Sequence, residues 1–252
     1  MASTTWSGAE RSPAPPPALR ANPSLPEHLV LMCASALFTG LSQRECEEIV
    51  SCARARTFAR DELLFCQGQP VRNLILLQSG SVKHTQVGES GSEVLLRMSG
   101  TGEALHVQGE SASCSHTCSA RAMEQCRAMV WEYNRLQALM AQYPQIRQNV
   151  SKILAGRLRE LEERFREVAT EKVARRLALV LLRLLKQIGK PVAEGTQVSL
   201  SREELAQMTG TTLFTISRIL SRWAEQGIVI PRREAVIVND SRRLASVHGD
   251  DE

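Results

Sequence analysis

The hydrophobic pattern of this chain changes period once, near residue 144, and that change limits what the chain can fold into. From Gln145 to Thr170 there is no proline and a single glycine, Gly156. Over this stretch Ile146, Val150, Leu154, Leu158, Leu161, Phe165 and Val168 recur at steps of three or four. The spacing predicts an α-helix of about 25 residues, roughly 37 Å long at 1.5 Å per residue. Its apolar stripe, with Arg and Glu on the other faces, suits a helix paired with its own copy. The alternative is a long helix packed on its own domain. Glu171–Ile188 (E-K-V-A-R-R-L-A-L-V-L-L-R-L-L-K-Q-I) predicts a second helix with a wide apolar face.

Before the change the chain reads as short strands. Ser42 with Glu45 three residues on has capping-box spacing and opens a short helix, Leu41–Cys52. Strands are expected at Arg56–Arg60, Glu62–Phe65, Asn73–Gln78, Ser81–Val87, Glu93–Met98, Ser119–Ala122 and Ala128–Trp131, divided by turns such as Ser79-Gly80 and Glu89-Ser90-Gly91. Strands at such intervals suggest a sandwich, barrel or roll. Aromatic residues are only 4% of the chain, so its cores must be largely aliphatic. Residues 1–28 hold six of the ten prolines and cannot bury a core, which predicts a mobile arm.

After the long helix, Leu200–Gly227 reads L-S-R-E-E-L-A-Q-M-T-G-T-T-L-F-T-I-S-R-I-L-S-R-W-A-E-Q-G. Ser201 can cap a short helix, 202–208, that Thr209-Gly210 ends; Thr211 or Thr212 can cap a second one, running to about Gln226. Two short helices about a glycine turn form a helix-turn-helix. Ala206 is small where the helices approach, and Ile216 and Ile219 face inward. Leu213, Phe214, Ser217 and Arg218 then share the outward face at the helix start, the end that enters the major groove of DNA in this motif. Gly227–Ile230 and Ala235–Val238 flank the turn Pro231-Arg-Arg-Glu234, a strand–turn–strand wing whose Arg232 and Arg233 suit phosphates.

Charge agrees with that division. The net charge of +4 is modest, but residues 29–143 carry ten basic against eleven acidic groups, while 171–252 carry thirteen against ten. Three of those ten acids are the terminal Asp250-Asp251-Glu252. Seven cysteines, Cys33, Cys46, Cys52, Cys66, Cys114, Cys118 and Cys126, lie in the first half, with no C-x-x-C pair, so neither a disulfide framework nor a zinc ribbon is indicated. The N-terminus lacks the basic-then-apolar pattern of a secretory signal, and no apolar run approaches the ~18 residues of a membrane span. A cytoplasmic chain with no membrane partner is expected.

From about Leu29 the chain resembles the Crp/Fnr superfamily of bacterial transcription factors. The resemblance rests on Glu62-Leu-Leu-Phe-Cys-Gln-Gly68, Leu77-Gln-Ser-Gly-Ser-Val-Lys83, Gly102-Glu103 and, most specifically, S-R-x-E-L-A-x-x-x-G-x-x-x-x-T-x-S-R-x-L over 201–220. It implies an α+β chain in four parts. These are the arm (1–28), an antiparallel β-roll of cyclic-nucleotide-binding type that serves as sensor (29–143), a dimerisation helix (144–170) and a winged helix-turn-helix (171–252). The implied function is that of a homodimer on a palindromic double-stranded DNA site, with RNA polymerase as a further partner and no enzymatic activity. Dimer contacts would come from Ile146, Val150, Leu154, Leu158, Leu161 and Phe165. DNA contacts would come from Ser201, Arg202, Thr211, Thr212, Leu213, Phe214, Thr215, Ser217, Arg218, Arg222, Arg232 and Arg233. By resemblance Arg202 and Thr215 meet phosphates and Arg218 reads a base, with guanine O6 and N7 as its natural partners. Many family members carry Arg-Glu where this chain has Leu213-Phe214. An apolar pair instead suits thymine methyls, so a different half-site is expected.

The sensor is the less determined part. Cyclic-nucleotide binders of the family use a Gly-Glu for the ribose and, some ten residues on, an Arg-Ser or Arg-Thr for the phosphate. Here Gly109-Glu110 lies too close to His116-Thr117, and the Arg slot holds His116, which argues against a cyclic nucleotide. The effector candidates are His106, Cys114, His116, Thr117 and Cys118. Residues 114, 116 and 118 would share a face if they lie on a strand. Haem needs one or two axial ligands, for which His106 and His116 are candidates. An iron–sulfur cluster needs four thiolates, and Cys33, Cys46 and Cys52 are too scattered to resemble the oxygen-sensing branch. Thiol oxidation, an unknown ligand, or small cysteines simply buried in the core stay open as well, as does the identity of any metal. An enzyme or redox protein built on this cluster is the alternative function, weakened by the absence of a nucleophile–base pair, a P-loop or a zinc motif.

Overall fold

The computed structural model describes residues 35–89, 91–105, 107 and 114–247. The expected arm, His106, Gly109-Glu110 and the acidic tail lie outside the described residues. Helix α1 (Gln43–Ser51) opens with the Ser42/Glu45 capping box that the sequence predicts. Strands β1 (Arg54–Phe58), β2 (Leu63–Phe65), β3 (Asn73–Ser79), β4 (Val82–Val87), β5 (Glu93–Ser99), β6 (Ser119–Ala122) and β7 (Cys126–Glu132) follow. They form two antiparallel sheets, ordered β1-β7-β3 and β2-β6-β4-β5. Phe58, Leu77, Val82, Ala120, Ala122 and Cys126 pack between the sheets. The other face of β3 and β7 is covered too. Leu76, Met129 and Trp131 pack there against Phe38, Ile49 and Leu139, and Trp131 Nε1 donates to the Ile49 carbonyl at 2.9 Å. Burial on both faces explains why these strands run apolar without strict alternation.

Helix α2 (Tyr133–Gln142) is absent from the sequence-based reading. It leaves β7 directly, with Glu132 at its N-cap making no side-chain cap bond, so the usual start signal is missing. Helix α3 (Pro144–Thr170) has proline at its first position, where a missing N–H costs nothing. Its stripe divides in two. Ile146 and Val150, expected at a dimer contact, are instead buried in the roll's own cluster beside Tyr143 and Leu136. Buried Asn149 locks that end by donating to the carbonyls of Leu37 (3.0 Å) and Thr39 (2.8 Å). Leu154 is half-buried, and beyond it Leu158, Leu161, Phe165 and Val168 are 57%, 64%, 76% and 55% exposed.

Extended backbone at Glu171 and Lys172 ends α3 and starts α4 (Val173–Ile188). A hairpin, β8 (Lys190–Val192) and β9 (Gly195–Val198), comes next, then α5 (Arg202–Thr209), α6 (Leu213–Glu225), β10 (Val229–Pro231), β11 (Val236–Val238) and α7 (Ser241–Ala245). The hairpin and α7 escape the sequence-based reading. The last sheet runs β10-β11-β9-β8. Leu177, Leu181, Leu205, Ile216, Leu220 and Trp223 form its helical core, joined by Leu95 and Met98 of β5. None of the helices among the described residues is long and apolar enough to cross a membrane.

Candidate nucleic-acid interface

Helix α5 is held by a complete capping box. Ser201 Oγ accepts from the Glu204 amide at 3.2 Å, and the Ser201 amide donates to Glu204 Oε2 at 2.9 Å. The helix ends at Gly210 in the left-handed region, φ 63° and ψ 46°, where a residue with a Cβ is strained. Arg176 of α4 fixes the turn from behind, donating through Nε to the Thr209 carbonyl (3.0 Å) and through Nη1 to the Glu171 carbonyl (2.9 Å). One guanidinium thus ties the turn to the break that follows α3.

Of the two threonines offered by the sequence, Thr212 is the cap of α6. Its Oγ1 accepts from the Thr215 amide at 3.2 Å and lies 3.0 Å from Thr215 Oγ1. The helix buries Ile216, Ile219, Leu220 and Trp223. Leu213, Phe214 and Arg218 are exposed and Ser217 half-buried, the grouping expected from the spacing. Phe214 is 82% exposed, which is costly for a side chain of that size unless it meets a partner. Thr211, Thr215, Arg202 and Arg222 are half-buried around this turn. Arg202 Nε is buried and has no hydrogen-bond partner among the described residues.

The wing is present. Its strands pair Val229 with Val238, Ile230 with Ile237 and Pro231 with Val236, and the Arg232 amide closes the turn on the Ala235 carbonyl at 2.8 Å. Arg232 and Arg233 are exposed at the tip. Arg232 has an exposed partner in Glu194 at 3.8 Å, a contact too solvated to neutralise it.

The sensor residues do not gather as their spacing suggests. Segment 114–118 is not a regular strand. It runs along the 66–71 turn, where the amides of Gly68 and Val71 donate to the carbonyls of His116 and Cys114 and the His116 amide donates to that of Gln69. The His116 ring stacks on Phe65, 4.0 Å between centroids, while Cys118 Sγ faces His84 Nδ1 at 3.9 Å and Thr117 is exposed. Among the described residues no three His, Cys, Asp or Glu side chains are placed to hold a metal ion. Burial pushes the His116 ring below its ordinary pKa, which favours its neutral form and makes it a poor substitute for an arginine. The Cys118 thiol is pushed up by burial, away from thiolate reactivity.

A different polar group fills the roll, and the sequence-based reading missed it. Buried His84 places Nε2 3.0 Å from Ser99 Oγ, to which Arg97 also donates at 2.7 Å. Arg97 further donates to the Leu105 carbonyl at 2.9 Å and lies 3.9 Å from Glu103. Arg157 of α3 reaches in to the Ala104 carbonyl. Burial pushes the Glu103 carboxyl up, and burial with the Arg97 charge beside it pushes Arg157 down to about 10. The available signal was a lone arginine inside the apolar strand V-L-L-R-M.

Comparison with known proteins agrees with this architecture. Residues 55–143 match the cyclic nucleotide-binding domain family, and residues 175–247 match the Crp-like helix-turn-helix domain family. The chain is 29% identical over 215 residues to the cyclic AMP receptor protein of Thermus thermophilus, covering 83% of this chain and 97% of that protein. It is 25% identical over 217 residues to the CRP-like cAMP-activated global transcriptional regulator of Mycobacterium tuberculosis, covering 85% and 97%. Its fold is similar to that of FixK2 from Bradyrhizobium japonicum, with a TM-score of 0.67 at 21% identity over 79% of this chain and 99% of that one. A cyclic-nucleotide-type roll, a long helix and a winged helix-turn-helix, matched in order by relatives of nearly the same extent, make this chain a member of the Crp/Fnr superfamily of transcriptional regulators.

Proposed function

We propose that the protein is a cytoplasmic homodimer that reads a two-fold-related DNA site with α6. In this reading the roll conveys the state of an effector to the two heads through helix 144–170, and RNA polymerase is the downstream partner. The observation that carries the proposal is the exposed face of the first two turns of α6, Leu213, Phe214 and Arg218, held out by a buried scaffold. Arg218 reads a base edge and Leu213 with Phe214 lie against thymine methyls. Thr211, Thr212, Thr215, Ser217 and Arg222 border the phosphates, as do Arg232 and Arg233 of the wing. A phosphate oxygen would supply the acceptor that Arg202 Nε lacks. Ser201 serves mainly as the cap, so its share of contact is through the α5 N-terminus.

Selection from random duplexes followed by gel shifts across a salt series tests this directly. Arg218→Ala should cost about 1–3 kcal/mol on the selected site and relax one base position, with little change on random DNA. Equal losses on both would remove Arg218 from the base-reading role.

The same reading separates this roll from relatives named for cyclic AMP. A buried cyclic phosphodiester needs a cation; His116 under Phe65 is disfavoured as one by burial, and the roll's arginines are engaged elsewhere, Arg97 with Ser99, the Leu105 carbonyl and Glu103, and Arg157 with the Ala104 carbonyl. Millimolar cyclic AMP should leave affinity for the selected site within about twofold, by the rule that a ligand without differential affinity shifts nothing. A tenfold tightening in a fluorescence titration would overturn that assignment.

A further inference from the structure

The roll and the head are joined by more than the break at 171–172. Lys83 of β4 and Glu204 of α5 are both half-buried, and Lys83 Nζ lies 3.0 Å from Glu204 Oε1. The other oxygen of Glu204 closes the Ser201 capping box, so one carboxylate orders the first helix of the motif and ties it to the roll. Leu95 and Met98 of β5 enter the head's apolar core. At the end of β5, Gly100 sits against the last turn of α4, where an added methyl group would overlap the Gln187 carbonyl oxygen. A second ion pair, Lys190 with Glu124, bridges the β8 side. This contact leaves Leu213, Phe214 and Arg218 exposed. It therefore holds the head without hiding its reading face.

We propose that Lys83 and Gly100 are positioning residues for DNA reading: they fix the head on its own roll, so that two heads of a dimer meet two half-sites already oriented. The proposal rests on the dimer reading above. A head released from its roll keeps only the 171–172 break and the Arg183–Glu167 pair across it, samples more orientations, and the second half-site then binds at a lower effective concentration. Neither residue lies on α6 or the wing, so neither alters contact with a single half-site.

The test compares DNA carrying the full selected site with DNA carrying one half-site, using K83Q, K83R, E204Q, K83Q/E204Q and G100A in the full chain. Glutamine at 204 keeps the capping geometry while removing the charge. K83Q and G100A should weaken full-site binding by about tenfold and leave half-site binding within about twofold, the signature of lost effective concentration. K83R should restore affinity, and the double variant should bind no worse than either single one, since each removes the same pair. Equal losses on both DNAs, unchanged full-site binding, or tighter full-site binding would each overturn the proposal. If G100A fails to fold, the lysine series decides alone.

Hydrogen exchange reads the contact without DNA. K83Q should speed exchange in β5 and in the last turn of α4 while the interior of α6 stays protected; unchanged exchange would overturn the contact. Were sedimentation to show a monomeric wild type, the dimer reading would fall and exchange would decide the positioning claim separately.

Discussion

Replacing Phe165 by glutamate should convert the protein to a monomer and weaken full-site DNA binding by about 10²–10⁴-fold, the range that linking two binding events supplies. Leu158, Leu161, Phe165 and Val168 lie at successive steps of three or four, and all are more than half exposed. Each such side chain gains about 1.5–3 kcal/mol on full burial. The exposure begins where apolar packing on the roll stops, after Leu154, while Arg157, Arg164 and Glu167 still hold other faces of the helix to its own chain, and a stripe of this length is self-complementary when two copies face each other. A carboxylate at its centre must be stripped of water without a partner. Since Phe165 makes no core contact in its own chain, folding should be unaffected, and Phe165→Leu should keep the dimer. Sedimentation at micromolar concentration with anisotropy on full-site and half-site DNA provides the check. A dimeric Phe165→Glu protein with intact full-site affinity would assign the stripe to another partner.

Arg183→Met should destabilise the protein by about 3–5 kcal/mol, the usual cost of stranding one member of a buried ion pair. Arg183 of α4 grips Glu167 of α3 through two bonds, 2.6 Å and 2.8 Å, and Glu167 is buried. The pair spans the break at 171–172 and sets the angle between the long helix and the head. Removing the guanidinium leaves a carboxylate with its main partner gone. The double variant Glu167→Leu/Arg183→Met should recover most of the loss, because apolar replacement of both partners removes the desolvation penalty. Urea unfolding of the wild type and the two variants measures this. A single-variant loss below about 1 kcal/mol would mean that water enters and solvates Glu167, as at an exposed pair.

Local signals carried much of the fold. The Ser42/Glu45 box, the strand sequence up to β7, the long helix, Gly210 and the Thr212 cap could be read from spacing, because each is fixed within a few residues. Helix α2 and the β8–β9 hairpin could not. The first begins without a capping side chain, and the second is three and four residues long with Pro191 inside it. Periodicity marked the apolar face of α3 but not which part of it the roll covers, so Ile146 and Val150 looked the same as Leu161 and Phe165. In the sensor, alternation at Cys114, His116 and Cys118 assumed a regular strand, whereas the segment makes only an isolated antiparallel bridge to the 66–71 turn. The contacts that join the modules are long-range. Lys83 and Glu204 are 121 residues apart, and Gly100 after a strand looks like an ordinary turn glycine.

The central claim, that two copies of α6 read two halves of one site, is tested most directly by stoichiometry on a selected duplex. The protein should enrich a two-fold-related sequence with half-site centres about one helical turn, 34–36 Å, apart. It should bind that sequence as two chains per duplex, and inserting five base pairs between the halves should reduce affinity to that of a single half-site. One chain per duplex on an asymmetric site, or affinity indifferent to the insertion, would contradict it.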